Sequence, residues 1–375
     1  MRVLVLFGTR PEAIKMAPVI KELQRTPGIE TLVCFTGQHR AMAEAVMSIF
    51  GIQPTVDLDV MRPGQTLEGL TGTLIAALPP MLDTLKPDLV LVQGDTTTAM
   101  MGALAAFYKQ IPVGHIEAGL RTGDMRHPWP EEANRRIVGA LATRHYTPTR
   151  TATQNLLREN IDPASILETG NTVVDALQMT QARLRQDAAL RASMEQKFHW
   201  LDRTRKLVLV TGHRRESFGG GFEEICRAIA ELARRPDVSF VYPVHLNPNV
   251  REPVGRILSG IDNVKLIDPV GYDEFVYLMD QSYLILTDSG GVQEEAPSLG
   301  KPVLIMRETS ERMEAIEAGV ARLVTTSFER IVGETSQLLD DAYAYAAMAR
   351  ATNPFGDGKA ASRITADIVS RSWAR

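Results

Sequence analysis

Val3-Leu-Val-Leu-Phe-Gly-Thr-Arg-Pro-Glu12 is the stretch on which the fold turns, and Leu207-Val-Leu-Val-Thr-Gly-His-Arg214 answers it later in the chain. Each is a short apolar run, rich in valine and leucine, that stops at glycine, a polar residue and arginine. A run without polar alternation fits a strand buried on both faces, the environment of a parallel sheet covered by helices. Working outward, Thr31–Phe35, Leu89–Val92, Val113–Ile116 and His145–Thr147 extend the first series. Val238–Pro243, Val264–Ile267, Tyr283–Thr287 and Val303–Met306 extend the second. Helical patterns lie between them: in Phe222–Arg234, Phe222, Ile225, Cys226, Ile229 and Leu232 recur at helical spacing. The alternation predicts an α/β fold of two doubly wound parallel-sheet, Rossmann-like domains. Residues 1–170 form the first and 171–359 the second, nucleotide-binding one, joined closely near Gly170-Asn-Thr-Val-Val-Asp175. Ligands of open α/β sheets bind outside the carboxyl ends of the strands, so the site is expected in an interdomain cleft where those ends face each other.

A chain of 375 residues can bury a large core and needs neither disulfides nor a structural metal. Hydrophobic residues at 44% and charged residues at 23% suit a soluble globular protein. A net charge of −4 without a basic tail argues against nucleic acid as a partner. Cys34 and Cys226 each fall in an apolar pattern and read as buried thiols in a reducing compartment. No segment approaches the roughly 20 apolar residues of a membrane span, and the apolar start at Met1–Phe7 is too short for a secretory signal. A cytoplasmic protein with no membrane partner is expected.

Gly8-Thr-Arg-Pro-Glu12 predicts a capped turn into a helix. Thr9 suits the cap and proline the first helical turn. Amides at such a turn, with Arg10 and Lys15 nearby, suit an anion. Pro18 must kink this helix or stand where it begins. Asp288-Ser-Gly-Gly-Val-Gln-Glu-Glu-Ala296 directly follows a strand, and its Ser289, Gly290 and Gly291 suit a diphosphate cradle. Glu295, about one turn into the next helix, can accept hydrogen bonds from vicinal ribose hydroxyls. Asp95, in Gly94-Asp-Thr-Thr-Thr98, Glu117, after Val113–Ile116, and Glu131 place three acids at or near neighbouring strand ends. Glu131 and Arg135 stand four apart, which alone fits a surface ion pair. His213 is the best placed of the seven histidines and His245 the next, while His39, His115, His127, His145 and His199 read mostly as structural or exposed. Gly219-Gly-Gly221 lacks the dinucleotide spacing and reads as a flexible loop before a helix. No His-Glu-x-x-His, Cys-x-x-Cys, calcium loop or Gly-Lys phosphate loop occurs, so no metal and no cofactor are expected.

Together these motifs resemble the bacterial non-hydrolysing UDP-N-acetylglucosamine 2-epimerases. The matching segments are Phe7–Pro18, Thr36–Arg40, Gly94–Thr98, His115–Thr122, Pro128–Arg135, Thr169–Asp175, Thr211–Phe218, Tyr242–Val250, Asp288–Pro297 and Asn353–Gly358. They run in family order through nearly the whole chain. The resemblance implies the glycosyltransferase-B type of fold, a C-terminal helix at about 360–375 crossing back onto the first domain, and a homodimer. It places functional positions on Arg10, Lys15, Asp95, Glu117, Glu131, Arg135, His213, Ser289, Gly290, Gly291, Glu295 and Arg312, with Phe275 beside the uracil. Val270 departs from members that carry Gln, a change that a backbone contact to the base tolerates. The resemblance also implies that UDP-N-acetylglucosamine is both substrate and allosteric activator. Gln38, Gln65, Arg214 and His245 would line the second site, where Gly64 stands in place of an Arg found in some relatives.

The C2 proton of such a sugar is not beside a carbonyl, so simple deprotonation is too costly. Transient oxidation needs a nicotinamide. Breaking the anomeric C–O bond instead acidifies C2–H, eliminates UDP and leaves 2-acetamidoglucal. Re-addition to the other face gives UDP-N-acetylmannosamine, and this is the route the resemblance implies. Asp95, Glu117 and Glu131 are the acid/base set; Arg10, Lys15, His213 and the turn after Ser289 stabilise the diphosphate. A glycosyltransferase of the same fold, a 2-epimerase of a modified UDP-sugar and a catalytically idle nucleotide-sugar sensor are the alternatives.

Overall fold

The computed structural model describes residues 1–38 and 40–373, so His39 lies outside the described residues. The chain divides into two compact units, Met1–Gln178 with Phe355–Arg375, and Met179–Pro354. The first unit holds β1 (Arg2–Phe7), β2 (Glu30–Phe35), β3 (Val56–Asp57), β4 (Leu89–Gln93), β5 (Val113–Ile116), β6 (Arg144–Thr147) and β7 (Ile166–Glu168). They form one parallel sheet in the order β3-β2-β1-β4-β5-β6-β7. The second holds β8 (Lys206–Thr211), β9 (Val238–Pro243), β10 (Val264–Ile267), β11 (Leu284–Thr287), β12 (Val303–Ile305) and β13 (Ala321–Leu323). Their order is β10-β9-β8-β11-β12-β13, again all parallel. The α/β class and the pair of doubly wound sheets expected from the sequence are therefore present. In each sheet the order reverses once, between β1 and β4 and between β8 and β11, and a crevice opens at the carboxyl ends of such a pair.

Burial explains why the two opening runs are strands. Val3, Leu4, Val5, Leu6 and Phe7 are all within 1% of full burial. Leu4 and Leu6 join Leu74, Leu78, Val90 and Val92 in one core, and alternation turns Val3, Val5 and Phe7 to the opposite face. In the second unit Val208 and Val210 pack with Phe222, Ile225, Cys226 and Ile229. Each such side chain contributes about 1.5–3 kcal/mol on burial. Cys34 and Cys226 are buried and free. Among the described residues no helix is long and apolar enough to cross a membrane.

Of two local expectations, one is decided between its alternatives and one is corrected. Pro18 does not open its helix; it lies inside Arg10–Arg25 and is buried. Lacking an N–H, it leaves the Ile14 carbonyl without its usual partner four residues on. Gly219–Gly221 is not a loop ahead of the helix, which runs Gly220–Leu232 with Gly219 at its N-cap at φ 78. First-turn amides have no intrahelical acceptor to lose, so glycine is tolerated there.

Helix Ala360–Ser370 is clasped within the first unit from both ends. Asp175 accepts from the amides of Ala360 (3.3 Å) and Ala361 (2.9 Å). Arg144 of β6 forms a bidentate pair with Asp367 at 2.9 and 2.7 Å, and the Tyr146 hydroxyl donates to the same carboxylate at 3.1 Å.

Candidate active site

In the first unit, the turns after β1 and β4 flank the reversal of strand order and are fastened by Glu12. Thr9 caps helix Arg10–Arg25, and Glu12 closes a capping box with it. Glu12 also accepts from the Gly8 amide (3.1 Å) and from the Thr96 hydroxyl (2.7 Å), so one buried carboxylate ties both turns together. Burial pushes its carboxyl up, against the hydrogen bonds from Thr9, Thr96 and Gly8. Gly8 has no room for a side chain, since a Cβ there would stand 2.1 Å from the Thr36 hydroxyl oxygen. Arg10 is half-buried at the first position of the helix.

Glu117 follows β5 with φ 62, a left-handed backbone that non-glycine residues seldom adopt. Lys15 Nζ reaches both of its oxygens, at 2.6 and 2.7 Å. Gln93 donates to Oε2, and Asn171 donates to Oε1 at 3.3 Å. Lys15 is thus placed on a carboxylate. Asp95, in the turn after β4, is held by Arg135 through Nε at 2.8 Å and Nη2 at 2.7 Å. Asn134 donates to its backbone carbonyl at 2.8 Å. Arg135 is not a surface partner of Glu131. It is buried, and its third nitrogen meets Glu132 at 3.2 Å. Glu131 opens helix Glu131–Leu141, and its Oε2 is buried with no hydrogen-bond partner among the described residues. His115 is a core group: Nε2 lies 2.8 Å from the Gly94 carbonyl, and burial lowers its pKa to about 3.

In the second unit, β8 and β11 end side by side. Asp288 Oδ2 accepts from the amides of His213 (2.6 Å) and Arg214 (2.8 Å), and Oδ1 stands 3.3 Å from His213 Nδ1. Burial draws the His213 pKa down, against the pull of Asp288. The His245 ring stacks on His213 with centroids 5.6 Å apart. Ser289 caps the short helix Gly290–Glu295. Gly290 lies under the Arg312 guanidinium, where a Cβ would stand 2.8 Å from Cζ, and Arg312 Nε donates to Glu294 at 3.0 Å. Glu295 accepts from the Tyr272 hydroxyl at 2.7 Å. Tyr272 opens the helix that carries Phe275 and follows Val270, both half-buried, so the expected base and ribose positions share one support.

The sequence model of the UDP-N-acetylglucosamine 2-epimerase family matches residues 21–369. The chain belongs to this family. It is 58% identical over 365 residues to the UDP-N-acetylglucosamine 2-epimerase of Yersinia pestis, covering 97% of each chain. To the enzyme of that name from Escherichia coli K12 it is 57% identical, again over 97% of each. A crystal structure of the Neisseria meningitidis UDP-GlcNAc 2-epimerase bound to UDP-GlcNAc superposes with a TM-score of 0.93 at 49% identity, over 99% of this chain and 100% of that one. The Methanocaldococcus jannaschii enzyme in complex with UDP-GlcNAc and UDP gives 0.82 at 32% identity, over 99% and 100%.

In this epimerase-family chain the structure joins Lys15 to Glu117, Asp95 to Arg135, and His213 to His245. Of the four positions named for a second site, Gln38 accepts from the Thr98 hydroxyl at 3.1 Å, and Gln65 donates to Thr73 at 3.3 Å, both in the first unit. Arg214 and His245 belong to the second unit. Gln93, Asn171, Glu132, Asp288 and Tyr272 have no role in the sequence reading. Asp288 stood in a quoted motif two residues before a glycine pair, and Asn171 in the quoted segment at the domain join; Gln93 carries no local signal, since only the packed sheet brings it to Glu117. Among the described residues no group of three or more His, Cys, Asp or Glu is placed to hold a metal ion.

Proposed function

We propose that this chain interconverts UDP-N-acetylglucosamine and UDP-N-acetylmannosamine by eliminating UDP and adding it back. Family membership and relatives whose structures contain UDP-GlcNAc support the substrate. The observation that carries the chemistry is the buried Oε2 of Glu131, without a hydrogen-bond partner among the described residues, at the start of the helix whose Arg135 holds a second carboxylate, Asp95. A carboxylate takes the C2 proton as the C–H electron pair forms the C1–C2 double bond and the C1–O pair leaves on UDP. A second returns a proton to the opposite face of C2, using the double-bond pair, as a UDP phosphate oxygen re-forms the C1–O bond. The amides after Ser289, with Arg10 and His213, stabilise the departing diphosphate. Glu295 and the segment Val270–Phe275 bind the nucleoside. The same proposal has the enzyme work as a cytoplasmic homodimer of two domains, supply a precursor of cell-surface polysaccharide, and respond to UDP-N-acetylglucosamine at a second site.

The test is incubation with UDP-N-acetylglucosamine alone, followed by NMR in heavy water. The manno epimer should appear with deuterium at C2. An oxygen label in the bridging position should scramble into non-bridging phosphate positions. A glycosyltransferase lacking an acceptor, or a sensor, would leave the sugar nucleotide unchanged. Deuterium uptake with bound nicotinamide and no scrambling would overturn elimination.

A further inference from the structure

Glu132 stands beside Glu131 in sequence and has no exposed side-chain surface. Its Oε2 accepts from the Thr122 amide at 3.0 Å and from Arg135 at 3.2 Å, and its Oε1 from the Gly123 amide at 3.4 Å and Arg136 at 3.3 Å. Burial pushes this carboxyl up, but the Thr122 amide and Arg135 outweigh it and hold the group below the usual carboxylate range. Glu132 is therefore a fixed negative charge. Arg135 lies between it and Asp95, one guanidinium shared by two carboxylates: one nitrogen faces inward to Glu132, and Nε and Nη2 face outward to Asp95. Asp95 is the accessible member, its side chain 26% exposed.

Resting on the reading of Asp95 as an acid/base group, we propose that Glu132 is a positioning residue of the reaction: it orients the Arg135 fork on Asp95 and shares its charge, so that Asp95 can take up and return a proton. A planar guanidinium held from one edge presents its other edge in a set direction. Without the inner carboxylate, the full positive charge would bear on Asp95 and hold it ionised. The other titratable groups around the pair do not replace this effect. His115, beneath the Gly94 carbonyl, is neutral with a pKa of about 3. Glu12 meets the neighbouring Thr96, and Arg136 spans Glu132 and Glu159.

The experiment uses the full chain with Glu132→Gln, which keeps the shape and removes the charge. Turnover should fall about tenfold or more, in the range of a mispositioned acid/base group. KM for UDP-N-acetylglucosamine should stay within about twofold, because the change falls on the chemical step rather than on binding. The limb of the kcat–pH profile that Asp95→Asn abolishes should move to lower pH. Glu132→Asp, which restores the charge at a shorter reach, should return the limb to its wild-type position while turnover stays reduced. A Glu132→Gln enzyme that only melts earlier, with its pH limb unmoved, makes the residue structural and overturns the proposal. If the Gln variant does not fold, the Asp variant decides, and wild-type turnover there overturns positioning. Should Asp95→Asn itself turn over normally, it is the acid/base reading of Asp95 that fails.

Discussion

A left-handed backbone at a residue other than glycine costs about 1–3 kcal/mol, and Glu117 keeps it at φ 62 under the hold of Lys15, Gln93 and Asn171. Its neighbours in the proposed acid set are held differently. Asp95 leans on one arginine, and Glu131 keeps a buried oxygen open. Asp95→Asn, Glu117→Gln and Glu131→Gln should each slow epimerisation by roughly 100-fold or more while leaving UDP binding intact. Stability should separate them. Glu117→Gln breaks an ion pair whose side chains are only 11% and 5% exposed, a loss of about 3–5 kcal/mol where a buried partner is removed. Glu131→Gln breaks no such pair and should melt close to wild type. Thermal unfolding beside the coupled assay of turnover measures both; a near-normal rate in any variant removes that residue from the catalytic set.

At the scale of elements, the helix Ala360–Ser370 depends on two carboxylates in quite different settings. Asp367 is neutralised by Arg144 and Arg371, which outweigh its burial and hold its carboxyl low. Asp175 is held by the amides of Ala360 and Ala361, and burial raises its pKa to about 6 from 3.8. Because the folded state binds this proton more tightly than the unfolded chain, its contribution to stability is present at low pH and is lost as pH rises through about 6. Asp175→Asn removes that dependence. The melting temperature of wild type minus that of the variant should therefore increase as pH falls from about 7 towards about 4.5. A constant difference across that range would show that Asp175 titrates normally. The three strands that the sequence does not reveal, β3, β7 and β13, are all edge strands of two or three residues. Runs so short hold no full alternation, and pairing with a neighbouring strand is what makes them strands.

For the whole molecule, the carboxylates belong to one unit and the proposed diphosphate turn to the other. A second nucleotide-sugar site would add concentration dependence. Rate against UDP-N-acetylglucosamine should be sigmoidal, and a trace of it should stimulate the reverse reaction. Hyperbolic curves in both directions would count against that site. Activity should also survive EDTA with no nicotinamide added, and loss restored by a metal ion would overturn the metal-free reading.

What the sequence determined by itself is what depends on neighbours along the chain. Continuous apolar runs such as Val3–Phe7 and Leu207–Val210 set the strands, because only burial on both faces suits them. Glycine-rich stops placed Asp95, His213 and Ser289 at strand ends, and Thr9 with Glu12 set the cap that opens the first helix. Tertiary structure alone decided the partners. Lys15 and Glu117 are 102 residues apart and Arg135 and Asp95 are 40 apart. A hydrogen bond needs a heavy-atom distance near 3 Å, and no spacing in a chain specifies that between residues on different strands and helices. The packed sheet does so, by carrying the ends of β4 and β5 to the second turns of helices Glu131–Leu141 and Arg10–Arg25.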